Sequence, residues 1–215
     1  VQRGLKIVVA DPRRIDITEY ATPRYGGLHI RQKPGTDVAL INGLMHIILK
    51  NGWEDKAYIE ERTENFDALK EAIEKYTPEV TAQITGVPIE QLHQTAEILA
   101  LSKPMAVIWE MGITQHTKGV LNVMSLANLQ MLLGNIGIPG GGVNPLRGQN
   151  NVQGACDMGG LPNVFPAYQA VTSPEAREKF EKAWRLVESS RLKIERDVPS
   201  TFNLQPSTLF GDKPG

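Results

Sequence analysis

From Leu132 to Met158 the chain reads L-L-G-N-I-G-I-P-G-G-G-V-N-P-L-R-G-Q-N-N-V-Q-G-A-C-D-M. The seven glycines and two prolines of this stretch oppose any regular helix or strand, because glycine loses the most backbone freedom on ordering and proline lacks a donor. Its polar content is too specific for a linker. Glycine lets the backbone come close to a ligand and present N–H groups to anionic oxygens. Asn144, Gln149, Asn150, Asn151 and Gln153 can each donate and accept hydrogen bonds. The stretch therefore reads as a binding loop for a large polar anion. Arg147, flanked by Pro145 and Gly148, is its only cation and the natural fork for a carboxylate or phosphate. The G-I-P-G-G-G portion lacks the strand-to-helix context and spacing of a dinucleotide fingerprint.

The flanking sequence supplies a scaffold. Lys6-Ile7-Val8-Val9-Ala10 is a β-branched run ending at Asp11-Pro12-Arg13, and Leu28-His29-Ile30 is a second short strand. Met105-Ala106-Val107-Ile108-Trp109 reads as a further buried strand, followed by the polar turn Gly112 to His116 and a helix from Gly119 to Leu132. Strands at 6–10, 28–30 and 105–109 alternating with helices predict an α/β layered domain with a mostly parallel sheet of dinucleotide-binding type. A ligand in such a fold lies across the carboxyl ends of the strands. Asp11 sits at such an end, where it either accepts from a ribose or caps the next turn. The turn before residue 119 suits a phosphate at a helix N-terminus, while His116 alone equally fits a solvent-exposed loop.

The remaining helices read as packing. Val38 to Leu49 is an apolar helix with Thr36 as N-cap and Gly52 beyond its end; His46 within it fits a packed side chain better than a ligand. Trp53 to Tyr76 gives one or two amphipathic helices. Thr77-Pro78-Glu79 starts another that Gly86 ends, and Pro88 opens one through Leu101 with Leu92, Ala96 and Leu99 facing inward. His93 and Glu97 lie one turn apart without the second pair a metal site needs. Pro174 begins a helix with Phe180 and Trp184 on one face. From Arg185 onward the chain is polar and without periodicity.

The 215 residues suffice for one or two domains, and a formal net charge of −1 favours neither nucleic acid nor an anionic membrane as partner. No apolar run approaches the ~20 residues of a membrane span, so a cytoplasmic location is the default expectation. The single cysteine, Cys156, excludes an internal disulfide and cannot hold an iron–sulfur cluster, which takes about four such ligands. Val1 to Lys6 reads as the last turn of a helix whose body is absent, so the chain is expected to begin inside a domain.

The run G-N-I-G-I-P-G-G-G-V-N-P-L-R-G-Q-N-N-V-Q-G-A-C-D-M-G, followed by L-P-N-V-F-P-A-Y-Q, resembles the catalytic subunits of molybdenum- or tungsten-dependent formate dehydrogenases, within the molybdopterin oxidoreductase family. With D-P-R, P-G-T-D and G-I-T-Q-H the resemblance covers roughly Leu5 to Trp184. It implies two copies of molybdopterin guanine dinucleotide holding molybdenum or tungsten, and two-electron oxidation of formate to carbon dioxide or the reverse. Carried over position by position, Arg147 holds the formate carboxylate while Gln149 and Asn150 order the loop. Asp11 and Arg13 lie beside the guanosine, Gly35 and Asp37 by the guanine base, and Gly112, Thr114, Gln115 and His116 in a cofactor segment, with Gly134 and Asn135 opening the loop. In the family the metal's cysteine or selenocysteine ligand, the catalytic histidine and the cysteines of the [4Fe–4S] cluster lie upstream of the matched segment. No metal ligand is therefore assigned here, and Cys156 reads as a small residue in a crowded loop.

The resemblance thus implies an internal part of a larger subunit, with residues 1–184 as the cofactor-binding region and 185–215 as a tail of unassigned role. Its partners would be formate, the remaining domains of the catalytic subunit and an electron-transfer iron–sulfur subunit, with no nucleic acid and no direct membrane contact. The chain by itself is expected to be inactive. Two alternatives stay open: a non-catalytic nucleotide- or partner-binding module, and another molybdopterin oxidoreductase such as a nitrate reductase. The V-N-P-L-R-G-Q-N-N run favours formate.

Overall fold

In a computed structural model, Val1 and residues 3–184 are described. Backbone contacts divide the chain into two units, Val1–Asn150 and Asn151–Gly215.

The first unit is built around one helix. α1 (Asp37–Lys50) carries Leu40, Ile41, Leu44, Met45, Ile47 and Ile48, all buried. These positions cover more than one face, which is tolerable only because α3 (Phe66–Glu74), α4 (Pro78–Thr85), α5 (Ile89–Leu101) and α7 (Gly119–Leu132) all pack on it. Each large apolar side chain so buried stabilises the fold by about 1.5–3 kcal/mol. His46 belongs to this core as a packed residue, its Nδ1 3.2 Å from the Ile73 carbonyl.

Local signals set the helix ends. Asp55 Oδ1 accepts from Tyr58 N at 3.1 Å and caps α2 (Lys56–Arg62). Thr77 caps α4, Pro78 fills its first position, and left-handed Gly86 closes it. Thr36 precedes α1 as expected, but its hydroxyl donates backwards to Lys33 O at 2.6 Å and caps nothing.

The strands are short and parallel. β1 (Val8–Ala10) pairs with β2 (Leu28–Ile30), Val8 opposite Leu28. β3 (Ala106–Trp109) pairs with β4 (Gly142–Pro145), Ala106 opposite Gly142. The α/β class and the parallel pairing agree with the sequence. The expected strands 6–10, 28–30 and 105–109 do not share one sheet, however; the first two form one pair and the third takes β4 instead. Nor is β3 buried on both faces, since Ile108 is 63 % exposed while Trp109 is 8 % exposed.

β4 and the helix α8 (Val152–Asp157) also correct the expectation that the glycine-rich stretch holds no regular structure. A parallel pair asks only for main-chain groups, and Pro145 ends the strand where its missing donor costs nothing. α8 is entered from Asn151 in the left-handed region, and Ala155 N donates to Asn151 O at 3.0 Å.

Described by itself, the second unit adds the antiparallel pair β5 (Val164–Phe165) and β6 (Gln169–Ala170), then α9 (Pro174–Ala183), capped by the Ser173 hydroxyl. Phe165, Phe180 and Trp184 form its aromatic cluster, with Phe165 stacked on Phe180 at 4.7 Å between centroids. The tail from residue 185 lies outside the described residues.

Leu92 of α5 is fully buried in the core around α1. Leu92→Ala is expected to cost about 2–5 kcal/mol through lost transfer energy and the cavity left behind. A urea unfolding midpoint that does not move would show that the core does not centre on this contact.

Candidate functional site

Every site residue expected from the sequence falls in the first unit, in two groups. The first gathers at the carboxyl ends of β1 and β2. Lys33-Pro34-Gly35-Thr36 forms a turn in which Thr36 N donates to Lys33 O at 3.2 Å and Gly35 adopts φ +81°. Proline second and glycine third with positive φ is the type II arrangement. That turn delivers Asp37 as the first residue of α1, where its carboxylate is favoured by the helix dipole. Asp37 is 7 % exposed, and Gln32 Nε2 donates to its Oδ1 at 3.4 Å. Gln32 was not expected from the sequence, because a lone amide between Arg31 and Lys33 carries no pattern.

Asp11 Oδ1 accepts from Arg13 N at 2.7 Å and lies 3.7 Å from Arg13 Nε. The turn-capping role of Asp11 is thus present in this geometry; its second oxygen and the largely exposed Arg13 guanidinium leave room for a ligand. His29 Nε2 lies 2.9 Å from Asp11 O, and Arg31 Nε donates to Pro12 O at 3.0 Å. The two strand ends are stitched together by these bonds.

The second group surrounds the β3–β4 pair. Immediately after β3 the segment expected as an open polar turn winds into α6 (Met111–Thr114). Gly112 and Thr114 lie in it, Thr114 Oγ1 donating to Glu110 O at 3.3 Å, and His116 Nε2 lies 2.8 Å from Gly112 O. A carbonyl can only accept, so that nitrogen carries the proton and Nδ1 is the ring's acceptor. Gln115 is exposed beside it.

Gln130 is the residue that the sequence hid. Fully buried on α7, its Nε2 donates to Met105 O at 2.9 Å and to Gly142 O at 2.6 Å, while its Oε1 accepts from Asn135 Nδ2 at 3.1 Å. Asn135 Oδ1 in turn accepts from Met105 N at 3.2 Å. These two amides tie the start of β3, the start of β4 and the intervening turn into one unit. Asn135 is fully buried in that framework, and Gly134 lies against the Asp55 carboxylate. Gly141 is required for space: a Cβ there would run into the Asn135 carbonyl. The available signal for Gln130 was a single amide among Leu129, Met131 and Leu132.

Beyond the clamp, Leu146 N donates to Trp109 O at 2.8 Å, extending the β3–β4 pairing by one bond. Arg147 follows directly, exposed and with no hydrogen-bond or ion-pair partner among the described residues. Gly148 packs near Met111 and Glu110, so Arg147 stands beside the start of α6. Gln149 and Asn150 are exposed after it. The structure thus brings Arg147 to the Gly112–His116 segment, while Asp11, Arg13, Gly35 and Asp37 form their own group. No hydrogen bond or ion pair joins the two groups among the described residues. Among those residues no group of three or more His, Cys, Asp and Glu side chains gathers to hold a metal, and no helix is long and apolar enough to cross a membrane.

Comparison with known proteins bears on this arrangement. The family model for molybdopterin oxidoreductases matches residues 1–208. The chain is 48 % identical over 183 residues to formate dehydrogenase H of Escherichia coli, covering 85 % of this chain and 25 % of that protein. It is 49 % identical over 215 residues to the F420-dependent formate dehydrogenase subunit alpha of Methanocaldococcus jannaschii, covering 99 % of this chain and 31 % of that protein. The chain therefore spans between a quarter and a third of these relatives. Among solved structures it is similar to the acetylene hydratase from Pelobacter acetylenicus, with a TM-score of 0.59 and 26 % identity over 63 % of this chain and 18 % of the other.

Gln130→Leu removes three buried hydrogen bonds at nearly constant volume and strands the polar groups they served. A loss of about 2–4 kcal/mol is expected, with faster proteolysis between residues 134 and 148. Unchanged thermal melting and an unchanged cleavage pattern would show that the amides do not hold the loop.

Proposed function

The chain belongs to the molybdopterin oxidoreductase family, and we propose that it is the part of a formate dehydrogenase catalytic subunit that holds guanosine at one end and anchors formate at the other. The observation that carries this reading is Arg147, an exposed and unpaired guanidinium fixed at the end of β4, in a chain 48 % and 49 % identical to formate dehydrogenases.

The residues present fit the cofactor that the family implies. At the strand ends a buried Asp37 carboxylate faces a Gln32 amide whose Oε1 is buried without a partner, an acceptor surplus that a nucleoside base with several N–H donors satisfies. Asp11 and Arg13 supply an acceptor and a cation for the ribose and phosphate beside it. Gly112, Thr114, Gln115 and His116 lie at the approach to the N-terminus of α7, where anionic groups are favoured, and the exposed Gln115 side-chain amide can donate there. Bound as a pair, molybdopterin guanine dinucleotides carrying molybdenum or tungsten supply the acceptor for the two electrons released as formate becomes carbon dioxide and a proton. An iron–sulfur electron-transfer subunit and the rest of the catalytic subunit complete such an enzyme in this reading.

The protein's own contribution is position and charge. Two parallel N–H donors of Arg147 match the two oxygens of formate and fix the direction of its C–H bond. Neutralising the carboxylate also offsets the cost of bringing an anion out of water. Gln149 and Asn150, next along the chain, order the loop around it.

In a full-length subunit carrying this segment, Arg147→Lys keeps the charge and loses the fork. Formate kcat/KM should fall by about 1.5–3 kcal/mol in transition-state stabilisation, roughly 10- to 150-fold, while metal and pterin contents stay near those of the parent. Unchanged kinetics would remove Arg147 from the substrate site; lost cofactor with proportionate loss of activity would make it a loop-holding residue instead.

A further inference from the structure

We infer that Glu110 sets the charge of the anion that Arg147 accepts: standing just past β3, beside the loop that carries the guanidinium, its carboxylate disfavours doubly charged anions and leaves a singly charged carboxylate as the one that fits. This rests on the proposed placement of formate at Arg147 and adds a specificity-determining residue to it.

Glu110 follows β3 directly and is the residue from which α6 starts. Its main chain is occupied, the carbonyl accepting from Ile113 N at 3.2 Å and from Thr114 Oγ1 at 3.3 Å. Its side chain is exposed, and the carboxylate has no hydrogen-bond or ion-pair partner among the described residues. The bond from Leu146 N to Trp109 O holds the residues that leave the two strands side by side, Glu110 one step past β3 and Arg147 two steps past β4. A Cβ on Gly148 would lie 3.9 Å from Glu110 Oε1 and 3.7 Å from Met111 Cγ. The carboxylate therefore reaches across to the residue next to Arg147. Glu110 is also the only acid in the sequence from 98 to 156, so no other carboxylate of these segments shares its effect.

An unmatched cation and an unmatched anion at one strand-pair end act differently on different ligands. The guanidinium fork pairs with one carboxylate and is then used up. A monoanion places its whole charge in that fork. The second charge of a dianion finds no further cation there and meets the field of Glu110. Repulsion by a fixed charge scales with the charge of the ligand, so Glu110 penalises a dianion twice as much in free energy as a monoanion. Specificity of this kind comes from what is repelled as much as from what is held.

The test uses the full-length holoenzyme, with acetate as a singly charged and oxalate as a doubly charged competitor of formate. Across a partly solvated gap one unit charge alters the binding of another roughly five-fold. Glu110→Gln is thus expected to tighten inhibition by acetate roughly five-fold and by oxalate roughly 25-fold, with metal and pterin contents unchanged and the difference shrinking as salt is added. Glu110→Ala is expected to shift the ratio of the two inhibition constants in the same way, and Glu110→Asp to keep the parent's ratio. A ratio that does not move in Glu110→Gln or Glu110→Ala, while Arg147→Lys weakens both competitors, would overturn the role of Glu110 alone. Activity lost in step with metal and pterin in Glu110→Gln, at an unmoved ratio, would overturn it too, since the side chain would then only support the loop. If Arg147→Lys leaves formate KM and both inhibition constants as they were, the placement of formate falls, and this inference with it.

Discussion

The buried amide of Gln130 is the interaction on which the rest of the site depends. It reaches Met105 O, Gly142 O and Asn135 from one position on α7. A glycine-rich chain has high conformational entropy when free, on the order of 1–2 kcal/mol per residue to fix. Residues 137 to 142 contain four glycines and bury little apolar surface of their own. Order must be imposed by main-chain hydrogen bonds from a rigid neighbour, and α7 is that neighbour because Leu126, Leu129 and Leu132 fix it in the first unit's core. A leucine in place of Gln130 would pack and yet hold nothing. A buried polar network that is fully satisfied specifies one geometry, which apolar packing alone does not.

This explains what could be read from the sequence and what could not. Helix boundaries were legible where a capping residue or glycine acts within three or four positions: Thr77 and Gly86 around α4, Pro88 before α5, Gly119 at the start of α7. The packed character of His46 followed from its apolar neighbours. Short strands near 8–10, 28–30 and 106–109 were legible, the first as a β-branched run. Their partners were not, because pairing is set by which backbones the helices bring together. β4 escaped for the same reason: Gly142, Val143, Asn144 and Pro145 have little strand character, and what makes them a strand is the open edge of β3. Gln32 and Gln130 illustrate the limit most clearly. A glutamine is worth nothing as a signal until its surroundings are known, and both are buried by residues far away in the chain.

The structure also divides the polar residues of the glycine-rich stretch by fate. Asn135 spends its donor and its acceptor inside the fold, and Asn144 donates to Val107 O at 3.2 Å. Both serve the framework, although by composition alone they look like the exposed amides Gln149 and Asn150 that follow Arg147. The lysines around α1 to α3 provide a contrast of the opposite kind. Lys50 pairs with Glu74 at 3.0 Å and Lys70 with Asp67 at 2.7 Å. The Lys50 ammonium donates to the Glu74 carboxyl and holds it below the usual carboxylate range. Such exposed pairs contribute little to stability. Charge that is already matched offers a ligand little; charge left unmatched offers it the whole interaction.

Arg147 joins these two lines of argument. Its main chain is held within two residues of β4, which is paired along its length to β3 and continued by the Leu146 to Trp109 bond. Its side chain is held by nothing in the described structure. A guanidinium free to meet a carboxylate on a backbone that cannot drift is what orientation of a small anion demands, since misplacement of a reacting group by about 1 Å can cost on the order of a hundredfold in rate. In the proposed reading the substrate, formate, offers only two oxygens and a hydrogen for the protein to hold, so nearly all of the required precision would come from the site. In the proposed reading, precision passes from the core around α1 through α7 and Gln130 to β4, and the glycines of the loop act less as hinges than as the small residues that let those main-chain bonds form. Stability and function are then coupled through one amide: loosening it would cost both, whereas changing the arginine would cost function alone.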